Sequence, residues 1–175
     1  MLTGRGPRRQ RGFNLIELMI AVTLLGVLLM LGLPEYREWI QNTQIRTSAE
    51  SVLNGLQLAR TEAVRRNAPV TFTVNSNNWT VTVAASGDTV QSRSGKEGSS
   101  NAVITATQNA VTFNGLGRIT PVPAAEVQFN VTNPTGGTCQ TAGGQMRCLR
   151  VTASLGGQIR MCDPALPAGQ PQACS

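Results

Sequence analysis

The chain has 175 residues, with 15 Lys+Arg, 9 Asp+Glu, no His, four Cys and only 4% aromatic residues. This length allows one ordinary domain, and plentiful Gly, Ser, Thr, Asn and Val point to a small β-rich fold rather than a helical bundle. Without His the chain lacks the commonest general base and metal ligand, which weighs against hydrolase and zinc chemistry. The net charge of +6 is unevenly spread: Arg5, Arg8, Arg9 and Arg11 lie in the first twelve residues, and the remainder carries 11 basic against 9 acidic side chains. A nearly balanced body gives no general argument for nucleic-acid binding.

Residues 1–12 are basic and have no apolar face. Residues 13–33, FNLIELMIAVTLLGVLLMLGL, are apolar apart from Glu17. As a helix they span about 31 Å, enough to cross the hydrocarbon core of a bilayer. The basic flank is expected on the cytoplasmic side and the rest outside. A secretory signal would have a shorter apolar core and a small-residue cleavage site after it. Here the apolar run leads into Pro34 and a further helical pattern instead. The Arg8-Arg9 pair suggests a twin-arginine signal, but Arg11 and Gly12 intervene before any apolar residue. A carboxylate in a membrane helix is costly unless paired, so Glu17 marks a function.

The run Arg11-Gly12-Phe13-Asn14-Leu15-Ile16-Glu17 closely resembles the type IV prepilin signal. The resemblance implies that residues 1–12 form a leader cleaved by a prepilin peptidase between Gly12 and Phe13. It also implies that the new Phe13 terminus is N-methylated and that Glu17 is the assembly residue. The chemistry is consistent, because the Phe13 ammonium of one subunit can neutralise the Glu17 carboxylate of its neighbour within lipid.

Pro34 is expected to bend the helix. Residues 34–67 then continue as an amphipathic helix, with Tyr36, Trp39, Ile40, Ala49, Val52, Leu53, Leu56, Ala59 and Ala63 at three- and four-residue steps. Asn67-Ala68-Pro69 stops it.

Residues 68–175 read as a β-rich head. Val70, Phe72 and Val74, then Trp79, Val81 and Val83, alternate about Ser76-Asn77-Asn78, which predicts a hairpin. Further strands are expected near Val90 and over 103–107, 110–113, 127–131, 148–153 and 158–162. Residues 93–101 are expected to form an exposed loop, and Asp88, Glu97, Glu126 and Asp163 to be turn and surface groups. The pattern alone registers the last hairpin: Ala153 opposes Ile159, Val151 opposes Met161, Thr152 opposes Arg160 and Arg150 opposes Cys162. Arg150 and Arg160 then share an outward patch. A long helix followed by short strands buries its stripe on an antiparallel sheet. The fold class is therefore α+β, a type IV pilin-like long amino-terminal helix, half transmembrane and half amphipathic, packed on an antiparallel β-sheet head.

Four cysteines in an exported domain favour disulfides over a metal site. The sequential pairing, Cys139–Cys148 and Cys162–Cys174, is favoured among three connectivities. It would tie down the Pro/Gly-rich tail. The hairpin register puts Cys148 and Cys162 diagonally across one face, so a bridge between them stays geometrically open.

The segments LNGLQLARTEAVRRNAPVTFTV, FNGLGRI and LRVTASLGGQIRMCDP are similar to the FimT/FimU/GspH group of minor pilins and pseudopilins. That resemblance implies a low-abundance subunit that initiates or caps a fibre. Its partners would be other minor pilins and a major pilin, or pseudopilins, together with an inner-membrane assembly platform. The chain would lie in the inner membrane before assembly, as a single pass with its head in the periplasm, and afterwards in a pilus or pseudopilus at the cell surface. Three roles separate within the group: a priming minor pilin at or near the pilus tip that supports motility or adhesion, a type II secretion pseudopilin, and a DNA-uptake receptor. Receptors of the FimT type carry G-R-x-R near the carboxy terminus, where this chain has Gly157-Gln158-Ile159-Arg160. Arg160 is retained and Gln158 removes one phosphate contact; Arg150, Arg147 and Arg118 are the candidates to compensate. No catalytic motif is present, so neither an enzyme nor a cofactor or metal is expected.

Overall fold

The structure, a computed structural model, describes residues 14–174, with the side chains of 31–34 outside that description. Gly12, Phe13 and the basic leader therefore lie outside the described residues. The chain divides into two compact units, Met1–Tyr36 and Arg37–Ser175. One helix, α1 (Leu15–Arg66), contributes to both and continues through position 34.

In the first unit every described side chain of residues 14–30 is exposed. The most apolar 18-residue window of α1 has a mean hydropathy of 2.5, long and apolar enough to cross a membrane.

The second unit holds eight strands: β1 (Val70–Asn75), β2 (Asn78–Val83), β3 (Thr89–Arg93), β4 (Val103–Ala106), β5 (Ala110–Phe113), β6 (Val127–Thr132), β7 (Leu149–Ala153) and β8 (Ile159–Cys162). They form two four-stranded antiparallel sheets, ordered β3-β2-β1-β5 and β4-β6-β7-β8, where one sheet was expected. The inward faces explain the division. Phe72 on β1 meets Phe129 on β6 edge to face, with ring centroids 5.7 Å apart, so the sheets join through side chains rather than a shared ladder. The expected β1–β2 hairpin is present, with Val70 opposite Val83 and Val74 opposite Trp79.

From Arg37 to Arg66 the helix lies over this core. Ile45, Ala49, Val52, Leu56, Ala59 and Ala63 are fully buried. Tyr36 and Trp39, expected on the same stripe, are 59% and 63% exposed, so burial begins near Ile45, a residue the sequence reading passed over. Gly55 lets the helix approach closely: a Cβ there would lie 2.7 Å from the Phe72 ring. Beside it the buried Trp79 indole Nε1–H donates to the Ser51 hydroxyl at 2.7 Å. The helix ends in a Schellman motif. Asn67 is left-handed (φ 48°), its N–H bonds to the Val64 carbonyl, and the Ala68 N–H reaches that of Ala63.

The 93–101 segment departs from its expected exposure. Ser99 is 2% exposed, and the Asn77 side-chain amide donates to the Ser99 carbonyl while the Asn78 side chain accepts from the Gly95 N–H at 2.9 Å. The Asn101 N–H is accepted by Gln44 on the helix, which closes the loop onto the core.

Candidate functional site

The apolar amino-terminal helix carries Glu17 in its first turn. The aliphatic side chains around it are widely exposed: Leu15 at 75%, Ile16 at 62%, Leu18 at 59% and Ile20 at 54%. A surface of this kind needs a cover, either lipid or other apolar helices, and a carboxylate within that cover needs a cationic partner.

The carboxy-terminal hairpin has the expected register: Arg150 opposite Cys162, Val151 opposite Met161, Thr152 opposite Arg160 and Ala153 opposite Ile159. On the other side of β7, Asn130 of β6 lies opposite Arg150, and its side-chain oxygen accepts from Arg150 Nε at 2.7 Å. Arg150 and Arg160 are thus diagonal neighbours on the outward face. None of the strands β4, β6, β7 and β8 contains an acidic residue. Among the described residues Arg160 has no ion-pair partner.

The other two arginines lie elsewhere. Arg147 donates from Nε to Asp163 at 2.8 Å, and its backbone N–H goes to Asn42 on the helix. Asp163 is 2% exposed, which corrects its reading as a surface group. Its second oxygen accepts the Ala165 N–H at 2.9 Å, so the carboxylate anchors the tail. This pair lies in a groove of about 500 Å³ whose apolar lining comes from Trp39, Leu149 and Met161. Arg118 belongs to the turn after β5, where its N–H and that of Leu116 both go to the Asn114 side chain. The structure therefore places Arg150 and Arg160 as diagonal neighbours, engages Arg147 with Asp163 and sets Arg118 in the turn after β5.

Disulfides join Cys139 to Cys148 and Cys162 to Cys174, with Cα–Cα distances of 5.5 and 5.0 Å. A parallel bridge between Asp163 and Ala173 lays the tail beside β8. Among the described residues no group of three His, Cys, Asp or Glu is gathered as a metal site.

No local motif marks the pair of exposed Arg147 and buried Asp163, so it was not legible in the sequence. Sequence reasoning also overlooked Leu116, Val122 and Leu155, lone aliphatics in turn-rich segments that surround a second hollow. Taken singly each is an ordinary exposed aliphatic, so nothing in the sequence marked them.

Residues 48–162 match the family model described as Type II transport protein GspH, a span of 115 of the 175 residues. The chain belongs to the GspH family. It is a minor pilin or pseudopilin of the GspH/FimU group, a family of structural subunits, and residues 7–33 separately match the prokaryotic N-terminal methylation motif. Its fold is similar to that of the type IV minor pilin FimU of Pseudomonas aeruginosa, with a TM-score of 0.56 at 20% identity over 75% of this chain and 95% of that one. It is also similar to the minor pseudopilin EpsH from the Type 2 Secretion System of Vibrio cholerae (TM-score 0.52, 17% identity, 70% of this chain and 99% of that one). A fimbrial protein of Pseudomonas aeruginosa is 29% identical over 89 residues, 51% of this chain, and the match spans only 57% of that relative. The likenesses to these solved structures agree with an α+β pilin fold.

Proposed function

We propose that this chain is a minor pilin that helps prime type IV pilus assembly at or near the pilus tip, supporting pilus-dependent motility or adhesion. The observation that carries this reading is Glu17, an isolated carboxylate among widely exposed aliphatic side chains in a helix long enough to span a membrane. Prepilin peptidase cuts between Gly12 and Phe13, and the new Phe13 amine is methylated. The chain waits in the inner membrane with its head in the periplasm. At the assembly platform, the Phe13 ammonium of one subunit pairs with the Glu17 carboxylate of its neighbour, so each is desolvated only as the other arrives. The β-rich head then rides on the outside of the fibre with minor and major pilins around it.

Two other readings have specific support. The description of the matching family and the likeness to EpsH favour a secretion pseudopilin. The outward pair Arg150 and Arg160, with no acidic residue on their sheet, favours DNA contact. A cross-linked pull-down of the mature protein from native membranes, read by mass spectrometry, separates the first two. Recovery of type IV minor pilins is the expected result, and recovery of secretion pseudopilins instead would overturn the priming role. For DNA, a mobility-shift assay of Arg160→Ala against the unaltered protein gives the answer.

A further inference from the structure

The head carries a concave apolar surface that its own fold does not use. Leu116, Val122 and Leu155 are 78%, 72% and 43% exposed; the first two lie on the β5–β6 connection and the third on the β7–β8 loop. They surround a hollow of about 540 Å³ that also takes in the buried Ile119. A lone exposed leucine is unremarkable, but several converging on one concavity mark a contact surface.

The loops are fixed before anything docks. The Asn114 side chain accepts from Leu116 and Arg118 N–H groups at 3.0 and 3.1 Å, and the Arg118 carbonyl accepts from the Asn114 N–H at 2.9 Å. Gly157 lies so close to the Gly117 carbonyl that any Cβ there would collide with it, which locks the β7–β8 loop to the turn after β5. Arg60 on the helix donates from Nε to the same carbonyl at 3.2 Å. A hollow held this way loses little conformational freedom when it is filled.

Its charge narrows the occupant. Arg118 lines the hollow and has no ion-pair partner among the described residues. An isologous contact centred on the hollow would bring two copies of Arg118 together, so its unpaired charge favours a partner with carboxylates over a second copy. Concavity favours a protruding side chain over a flat surface.

We propose that the hollow framed by Leu116, Val122 and Leu155 docks the head of a different pilin-like subunit, which inserts an aliphatic side chain and presents a carboxylate to Arg118. This rests on the fibre-subunit reading above and adds the place and chemistry of one contact.

The test uses the full chain in its native membranes, with a photo-crosslinking amino acid in place of Val122 and a second at Val103 on the outward face of β4 as control. The position-122 adduct is expected to contain a protein with its own prepilin-type signal, joined through a peptide with an aliphatic residue beside Asp or Glu. The Val103 position should not give it. Leu116→Ser with Leu155→Ser, and separately Arg118→Glu, should each lower the adduct at least tenfold, while Arg118→Lys retains it. All these side chains are exposed, and an unchanged limited-proteolysis pattern checks that the head stays folded. Adducts only to itself, to lipid or to DNA, no adduct, or yields unchanged in the variants would each overturn the proposal. If the pull-down still recovers pilins in that case, the docking site falls and the fibre-subunit reading stands; if it recovers none, both fall.

Discussion

The Arg147–Asp163 pair is unequal, because the Arg147 side chain is 55% exposed and that of Asp163 only 3%. Removing the arginine strands a buried carboxylate, whereas the amide leaves no charge to strand and gives up one of the two accepted hydrogen bonds. Arg147→Ala should therefore cost about 3 kcal/mol, and Asp163→Asn about 1 kcal/mol. Chemical denaturation of the two variants reads the difference, and equal costs would contradict an anchoring role for the carboxylate. At the end of α1, hydrogen bonds from Arg65 and then Arg66 hold the Glu62 carboxyl down to about 2 from its ordinary 4.5. A depressed carboxylate contributes in full above 4.5 and loses that contribution as pH falls through about 2. The stability difference between the unaltered chain and Glu62→Gln should shrink across that window, as followed by acid titration of helix-end hydrogen exchange. Neither pair was legible in the sequence as such: Glu62 sits at helical spacing from Arg65 and Arg66, but Asp163 finds Arg147 only after β7 and β8 have paired.

Most elements were legible because their patterns are local. Alternation in β1 and β2, the Asn67-Ala68-Pro69 stop and the register of the β7–β8 hairpin all follow from side-chain period and turn chemistry. The division into two sheets was not legible, since it depends on Phe72 and Phe129 meeting edge to face across 57 residues of chain. The burial of Gly95 and Ser99 was hidden for the same reason, because their partners Asn77 and Asn78 lie on an earlier hairpin. Gly55 shows how tightly the elements are fitted. Alanine is the better helix former by about 1 kcal/mol, yet its Cβ would press on the Phe72 ring, itself held by Trp79 and Phe129. Gly55→Ala should lower head stability by about 1–2 kcal/mol net, and the thermal midpoint should fall. A rise would mean that the helix can lift from the sheet without loss.

For the whole molecule, one segment is built to be covered and the other to stay in water. Residues 15–30 expose their aliphatic side chains and one carboxylate, while the head buries its own core, closes the loop before β7 with one disulfide and ties its tail with another. Each bridge closes a short loop and contributes about 3 kcal/mol in the chain-entropy model, a useful share for so small a core. The amino-terminal methylation motif was the most legible feature of all, because its signature is a contiguous run from Arg11 to Glu17. The head's recognition surfaces were the least legible, because Leu116, Val122 and Leu155 come together only in the folded chain. The central claim is that the Glu17 carboxylate drives entry into a fibre by pairing with the Phe13 amine of a neighbouring subunit. Its most direct measurement is the amount of mature Glu17→Ala chain in sheared fibres relative to the membrane fraction. The account predicts normal processing in the membrane and at least a tenfold loss from the fibre. Normal incorporation of Glu17→Ala would contradict it.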